Sequence, residues 1–130
     1  MEINQQNIED LFKLIPTFDK MWDMYIKPLE GKTIPLVEGE SNKIISVDKS
    51  GVRRETSTFD EFGNPNINKI PRSAFEFAYM RLLQEGHVCR GEIYQTQGWC
   101  SSGVIAILAQ LPFVRFTHKP ATLWLLIPSI

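Results

Sequence analysis

The sequence of 130 residues predicts an α+β protein in which N-terminal helices precede a small antiparallel sheet and a C-terminal segment of helices and strands. Three observations lead to this prediction. Apolar residues first recur with helical spacing, short β-branched segments separated by turns come next, and a second helical pattern ends in two strand-like runs. With 43% hydrophobic and 22% charged residues, the composition is that of a globular unit and excludes a disordered or fibrous chain.

The first thirty residues carry two helical patterns separated by Pro16. Asn7 is a candidate N-cap for the first helix, and we expect Pro28 to end the second. Both patterns place apolar residues at i, i+3, i+4 and i+7, which is one face of a helix. The apolar residues are Ile8, Leu11, Phe12 and Ile15 in the first pattern and Phe18, Met21, Trp22 and Tyr25 in the second.

Residues 31–70 are predicted to form the sheet. Residues 48–51, Asp-Lys-Ser-Gly, have the composition of a tight hairpin turn, and Pro35 suits an edge strand. The alternation of residues 45–48 predicts that Ile45 and Val47 are buried together on one face. We expect residues 58–68 to be a loop, because they are rich in Asp, Gly, Asn and Pro.

The adjacent residues Arg53 and Arg54 face opposite sides if they lie on a strand. Only one of them can then belong to a given binding surface.

A capping box at residues 73–76, Ser-Ala-Phe-Glu, predicts a helix that ends at Gly86. Its buried stripe is expected to be Phe75, Ala78, Tyr79, Leu82 and Leu83. A short strand at 88–89 and a short helix at 90–95 come after it. A turn at 97–98 leads to a helix at 101–110, which Ser101 or Ser102 can cap. Strand-like runs at 113–118 and 121–127 are joined by Lys119-Pro120.

This order of elements resembles a winged helix-turn-helix domain over residues 71–128. The resemblance rests on the helix ending at Gly86, the short helix RGEIYQ, the turn TQGW, the helix SSGVIAILAQL and the hairpin FVRFTH-KP-ATLWLL. It implies that helix 101–110 enters the major groove of DNA and that the wing, residues 115–121, lies beside the backbone. We therefore divide the chain into an N-terminal part, 1–70, and a winged-helix part, 71–130, within one compact unit. The arrangement also loosely resembles accessory DNA-binding domains of bacterial restriction and mobile-element proteins.

Duplex DNA is accordingly the expected partner. The small residues at the start of helix 101–110 leave room for a phosphate or a base edge, and glutamine side chains can pair with adenine. Cationic side chains at the flanks can bind phosphates. The candidate DNA-binding residues are Arg90, Gln95, Gln97, Trp99, Ser101, Ser102, Arg115, His118 and Lys119.

Charge is unevenly distributed along the chain. Residues 1–65 carry a net charge of −4 and residues 66–130 a net charge of +3, which together give the net charge of −1. A cationic half is compatible with a polyanionic partner. The polar N-terminus, the lack of a long apolar run and the presence of only two cysteines favour a cytoplasmic protein without a membrane span.

The alternative is a winged-helix interaction module that docks a nuclease, a polymerase or another nucleic-acid-processing protein through its aromatic residues. A homodimer through the N-terminal helices also stays open. The aromatic candidates for docking a partner are Trp99, Phe113, Phe116 and Trp124.

We expect no enzymatic activity, no metal and no cofactor. The two His and two Cys residues lack the spacing of a zinc site, and Cys100 at a helix start has no base selected by spacing. The carboxylates near Asp48 do not form a nuclease motif.

Overall fold

The computed structural model of this protein describes residues 15–35 and 41–126. Within them it confirms a mixed α+β fold with a small antiparallel sheet and helices on either side of it in the chain. The helix predicted from Asn7 falls almost entirely outside the described residues.

The N-terminal helical segment changes its pitch twice. Helix α1 spans Phe18–Met21, a wider π-helical turn spans Trp22–Ile26 and a 3₁₀ turn spans Lys27–Leu29. The expectation that Pro28 ends the helix is confirmed, because the wider helical turn ends at Ile26 and Pro28 lies in the short 3₁₀ turn that closes the segment. Proline is tolerated at the start of a helical turn, where its missing N–H has no partner to lose.

Four strands then form an antiparallel meander in the order β1-β2-β3-β4. Strand β1 spans Thr33–Pro35, β2 spans Ser41–Asp48, β3 spans Gly51–Phe59 and β4 spans Pro65–Pro71. Strand β1, with Pro35, lies at the edge of the sheet as predicted.

The predicted tight turn between β2 and β3 is also confirmed. The Asp48 carboxylate accepts hydrogen bonds from the Ser50 N–H at 2.7 Å and the Gly51 N–H at 3.2 Å.

Two expectations about the sheet are wrong. A bulge between Ile44 and Ser46 turns Ile45 outward, so that it is 37% exposed while Ile44 and Val47 are buried. The loop predicted at residues 58–68 is shorter, because β3 continues to Phe59 and β4 begins at Pro65. The short turn between β3 and β4 is stabilised by the Asp60 carboxylate, which accepts hydrogen bonds from the N–H groups of Phe62 and Asn64, each at 2.9 Å.

The C-terminal segment contains three helices and a second, three-stranded sheet in the order β5-β7-β6. Helix α2 spans Arg72–Glu85 and ends at Gly86 in the left-handed conformation, as predicted. Strand β5 spans His87–Cys89 and α3 spans Arg90–Gln97. A 3₁₀ turn at Gly98–Cys100 precedes α4, Ser101–Leu108, and the hairpin consists of β6, Val114–Thr117, and β7, Thr122–Leu125.

The predicted side-chain caps of helices α2 and α4 are absent. Helix α2 begins at Arg72, before the expected capping box, because the Arg72 N–H donates to the Ser50 carbonyl at 2.9 Å. Helix α4 has no side-chain cap, because the 3₁₀ turn runs directly into it and the Ser101 N–H donates to the Gly98 carbonyl. Helix α4 also ends at Leu108, earlier than the predicted Gln110.

A single cluster of buried apolar residues joins the elements from both halves of the chain. Trp22 packs edge-on against Phe75 of α2 at a centroid distance of 5.3 Å, and Phe18 lies 6.0 Å from Tyr79. The inner face of the first sheet meets α4, where Ile70 and Arg54 approach Gly103. None of the helices in residues 15–35 and 41–126 has the length and apolarity needed to cross a membrane.

Candidate nucleic-acid interface

A cavity of about 690 Å³ lies between the start of α3 and the loop that joins β6 to β7. It brings together three of the predicted site residues, Arg90, His118 and Lys119, although 27 residues of chain separate Arg90 from His118. The remaining lining residues are Gly91, Tyr94, Pro120 and Ala121. A cavity of this size falls within the range of small-ligand sites.

Backbone pairing holds the two sides of the cavity together. Cys89 of β5 pairs with Thr122 of β7, and the next residue, Arg90, donates its N–H to the Ala121 carbonyl at 2.9 Å. The Thr122 hydroxyl donates to the Pro120 carbonyl at 2.9 Å, which ties the loop to the strand after it. The start of α3 and the hairpin loop therefore form one supported surface.

The cavity is cationic. Arg90 and Lys119 are exposed cations, and none of the seven lining residues is acidic. The His118 ring packs edge-on against Phe116 at a centroid distance of 4.7 Å, which fixes its position beside Lys119. Tyr94, one helical turn after Arg90, adds an exposed aromatic ring. Cations beside an exposed aromatic ring suit a phosphate-bearing ligand.

A second group of predicted residues lies at the turn before α4. Trp99 is 58% exposed, and the guanidinium of Arg54 lies 5.9 Å from the centroid of its ring. Gln97 is half-buried at the end of α3, and its backbone carbonyl accepts a hydrogen bond from the Cys100 thiol at 3.5 Å. Gln95 is exposed on α3 but does not line the cavity.

Helix α4 presents little of itself to solvent. Seven of its eight residues are buried, including Ser101, and only Ser102 is half-exposed. Gln110, beyond the helix end, donates a side-chain hydrogen bond back to the Ala106 carbonyl at 3.3 Å. The face expected to read bases is therefore covered, since the first sheet packs against the start of this helix.

Arg115 lies on the outer face of the second sheet, apart from the cavity. It pairs in register with Trp124, which in turn pairs with His87, so the three side chains form a row across β6, β7 and β5. The Trp124 indole N–H donates to the Thr117 hydroxyl at 2.7 Å, which holds the ring in place. Arg115 is exposed at one end of this row.

Arg54 is a buried cation, with 5% of its surface exposed. Its Nε donates to the Asn68 side-chain oxygen and its Nη1 to the Asn42 side-chain oxygen, both at 2.9 Å. No carboxylate forms an ion pair with Arg54 among the described residues. Burial lowers the pKa of Arg54, as expected for a charge removed from water.

Cys100 is not an activated thiol. Burial raises its pKa, and this effect exceeds the lowering that comes from a backbone hydrogen bond and from the nearby Arg54. The helix start that favours a low thiol pKa in the sequence is offset by the apolar surroundings of the buried sulfur.

Sequence reasoning missed Tyr94, and it named Arg54 only together with Arg53 as a candidate addition to a binding surface. Tyr94 had a usable signal, because it lies four residues after Arg90, the i+4 spacing that places two side chains on one helix face. The buried position of Arg54 also had a signal, because Arg54 lies two residues after the apolar Val52 and alternate residues of a strand share a face.

The chain matches no protein-family model, and comparisons with curated proteins and with solved structures give no significant match.

Proposed function

We propose that this is a non-enzymatic DNA-binding protein of the winged-helix type that holds the duplex by its sugar-phosphate backbone. The observation that carries the proposal is the convergence of Arg90, His118 and Lys119, with Tyr94, in one cavity where none of the described lining residues is acidic. The order of helices and then a hairpin supports the winged-helix assignment. The presence of only two cysteines, both free thiols, is consistent with a cytoplasmic protein.

The burial of α4 changes the mode of binding that the resemblance implies. A recognition helix needs an exposed face to reach base edges in the major groove. Here Ser102 is the partly exposed residue of that helix, and Ser101 is buried. The proposal therefore assigns most of the affinity to phosphate contacts at the cavity and predicts weak discrimination between sequences.

The test measures the affinity for a mixed-sequence duplex at about 50 and about 200 mM salt by fluorescence anisotropy. Replacing Arg90 and Lys119 together by Ala is expected to weaken binding to all sequences by at least about tenfold at the lower salt concentration. The slope of log K against log salt should become shallower by about two, because two phosphate contacts are lost.

The matched control is Lys20→Ala with Lys49→Ala, which removes two exposed cations that do not line the cavity. The control should bind close to wild type. Equal losses in both double variants, binding that does not respond to salt, or no binding at micromolar protein and low salt would each contradict the proposal.

The second candidate is the interaction module. The exposed rings of Trp99 and Trp124 favour it, since large aromatic side chains on a surface commonly anchor protein partners. Phe113 and Phe116 are less suited, because both are only partly exposed and pack against the core. If this protein does not bind DNA in the test above, the interaction module becomes the favoured function.

A further inference from the structure

The β3–β4 hairpin extends past the last pair that β3 forms with the described part of β2. Within residues 41–126, pairing between β2 and β3 reaches Thr56, whereas β3 continues to Phe59. We call residues 57–66 the hairpin arm. A ladder of side chains stiffens it, in which the Asn66 amide donates to the Thr58 hydroxyl at 2.8 Å and the Thr56 and Thr58 hydroxyls share a hydrogen bond of 2.8 Å.

The tip of the hairpin arm presents two phenylalanine side chains to solvent. Phe59 is 64% exposed and Phe62 is 80% exposed, which makes Phe62 the most exposed large apolar side chain among the described residues. The Asp60 carboxylate holds the turn rigid around them. A rigid turn that exposes aromatic rings loses little conformational entropy on binding and is typical of an interaction site.

The hairpin arm is also acidic, because it contains Asp60 and Glu61 but no lysine or arginine. A surface that complements the tip must therefore offer positive charge beside room for an aromatic ring.

The cavity between α3 and the β6–β7 loop has these properties. It carries Arg90 and Lys119 at its rim, and Tyr94, Pro120 and Ala121 supply apolar surface. No residue of the hairpin arm lines it, so the tip of the same molecule does not fill it.

We propose that the hairpin arm of one molecule inserts Phe62 into this cavity of a second copy of the chain, with Glu61 facing Arg90 and Lys119. Because the two contacting surfaces differ, the contact is head-to-tail, and successive copies can add until a ring closes or a filament forms. The inference depends on the exposed ring of Phe62 and on the charges of the two surfaces, and it does not require that the cavity binds DNA. DNA and the hairpin arm would compete for the cavity, because both would contact Arg90 and Lys119.

A mixing experiment tests the proposal by sedimentation velocity without DNA. One variant, Phe62→Ser, has a defective arm tip and an intact cavity. The other, Arg90→Glu with Lys119→Glu, has a defective cavity and an intact arm. All three side chains are exposed, so both variants are expected to fold, which circular dichroism verifies.

The wild-type protein should show a sedimentation coefficient that rises with concentration, from about 10 μM to about 1 mM, the range of weak association. Each variant alone should stay monomeric. An equimolar mixture should form a dimer and nothing larger, because each pair then has one working arm and one working cavity.

Self-association of the Arg90→Glu, Lys119→Glu variant alone would show a contact of arm against arm and would overturn the proposal. A mixture that stays monomeric while the wild type associates would show that the arm of one variant does not enter the cavity of the other, and it would also overturn the proposal. A wild-type protein that stays monomeric up to about 1 mM, or a Phe62→Ser variant that associates like the wild type, would overturn it as well. Loss of DNA binding in the earlier test, by contrast, would leave these results unchanged.

Discussion

At the scale of single residues, Tyr79 makes the stability of the folded protein depend on pH. Its side chain is buried, and its hydroxyl donates to the Pro16 carbonyl at 2.6 Å. Burial raises the pKa of Tyr79 to about 12, with a smaller contribution from Tyr25. An unfolded tyrosine ionises near pH 10, so the unfolded state loses its proton first. The stability that Tyr79 contributes is therefore constant below pH 10 and falls as the pH rises towards 12.

We predict that Tyr79→Phe lowers the free energy of unfolding by about 1 kcal/mol at pH 7, because the hydrogen bond to Pro16 is lost. Between pH 10 and 12 the free energy of unfolding of the wild type should fall by about 2 to 3 kcal/mol through the ionisation of Tyr79, which the variant lacks. The unfolding free energies of the two proteins should therefore converge or cross. Urea unfolding at pH 7, 9 and 11 measures this difference. A constant gap between wild type and variant across that range would contradict the assignment.

Arg53 and Arg54 show what alternation along a strand predicts and where it fails. Alternation predicted that the two side chains point to opposite faces, and the structure has Arg53 exposed and Arg54 buried. Val52 is buried and lies two residues before Arg54, so these two side chains share the inner face of β3. On β2, by contrast, a bulge between Ile44 and Ser46 turns Ile45 outward, and nothing in the local sequence marks this bulge.

At the scale of elements, the existence of most helices and strands was predictable, and helix ends were less so. Gly86 ends α2 as predicted, but the start of α2 is set by the carbonyl of Ser50, which lies in a distant turn. The resemblance implied that α4 enters the major groove of DNA and so has an exposed face, whereas seven of its eight residues are buried. A helix that is apolar all round is a buried helix, so that signal was present in the sequence.

The close approach of the first sheet to α4 yields a prediction for Gly103. A Cβ atom at this position would lie 2.7 Å from Ile70 Cδ1 and would overlap the guanidinium of Arg54. Gly103→Ala should therefore lower the free energy of unfolding by about 1 to 3 kcal/mol, the usual cost of overpacking.

The control is Gly91→Ala in α3, where the nearest atom to an added Cβ is Cys89 Sγ at 3.9 Å. Alanine there should be neutral or stabilising by up to about 1 kcal/mol, because it favours the helix. Urea unfolding of both variants makes the comparison. Equal free energies of unfolding for the two variants would mean that the first sheet does not pack closely against α4 at Gly103.

At the scale of the whole molecule, the N-terminal and C-terminal parts share one apolar core. Trp22 contacts Phe75 of α2, and Ile70 of β4 approaches α4. Elements that share a core commonly unfold together. We predict coincident urea transitions by far-ultraviolet circular dichroism and by tryptophan fluorescence, which reports Trp22, Trp99 and Trp124 in three places. Two separate transitions would show that residues 1–70 and 71–130 fold independently.

The candidate site was predictable in part at this scale. Arg90, His118 and Lys119 were selected from the sequence and do converge, because pairing of β5 with β7 places the start of α3 beside the hairpin loop. Gln97, Trp99, Ser101 and Ser102 were selected for their place at the start of a recognition helix. Of these residues, Ser101 is buried and Trp99 is exposed. The apolar sequence of α4 indicated a buried helix, but no local pattern reveals that the first sheet is what packs against it.

The burial of α4 against the first sheet bears on how the C-terminal segment behaves when it is separated from the rest of the protein. A segment that begins at Pro71 would keep helices α2 to α4 and strands β5 to β7, yet it would lose Ile70 and Arg54 and uncover a helix that is apolar along most of its length. Such a fragment is expected to aggregate when it is expressed alone or fused to another protein. Strands β3 and β4, which carry Arg54 and Ile70, would therefore have to accompany the C-terminal segment into any fusion protein.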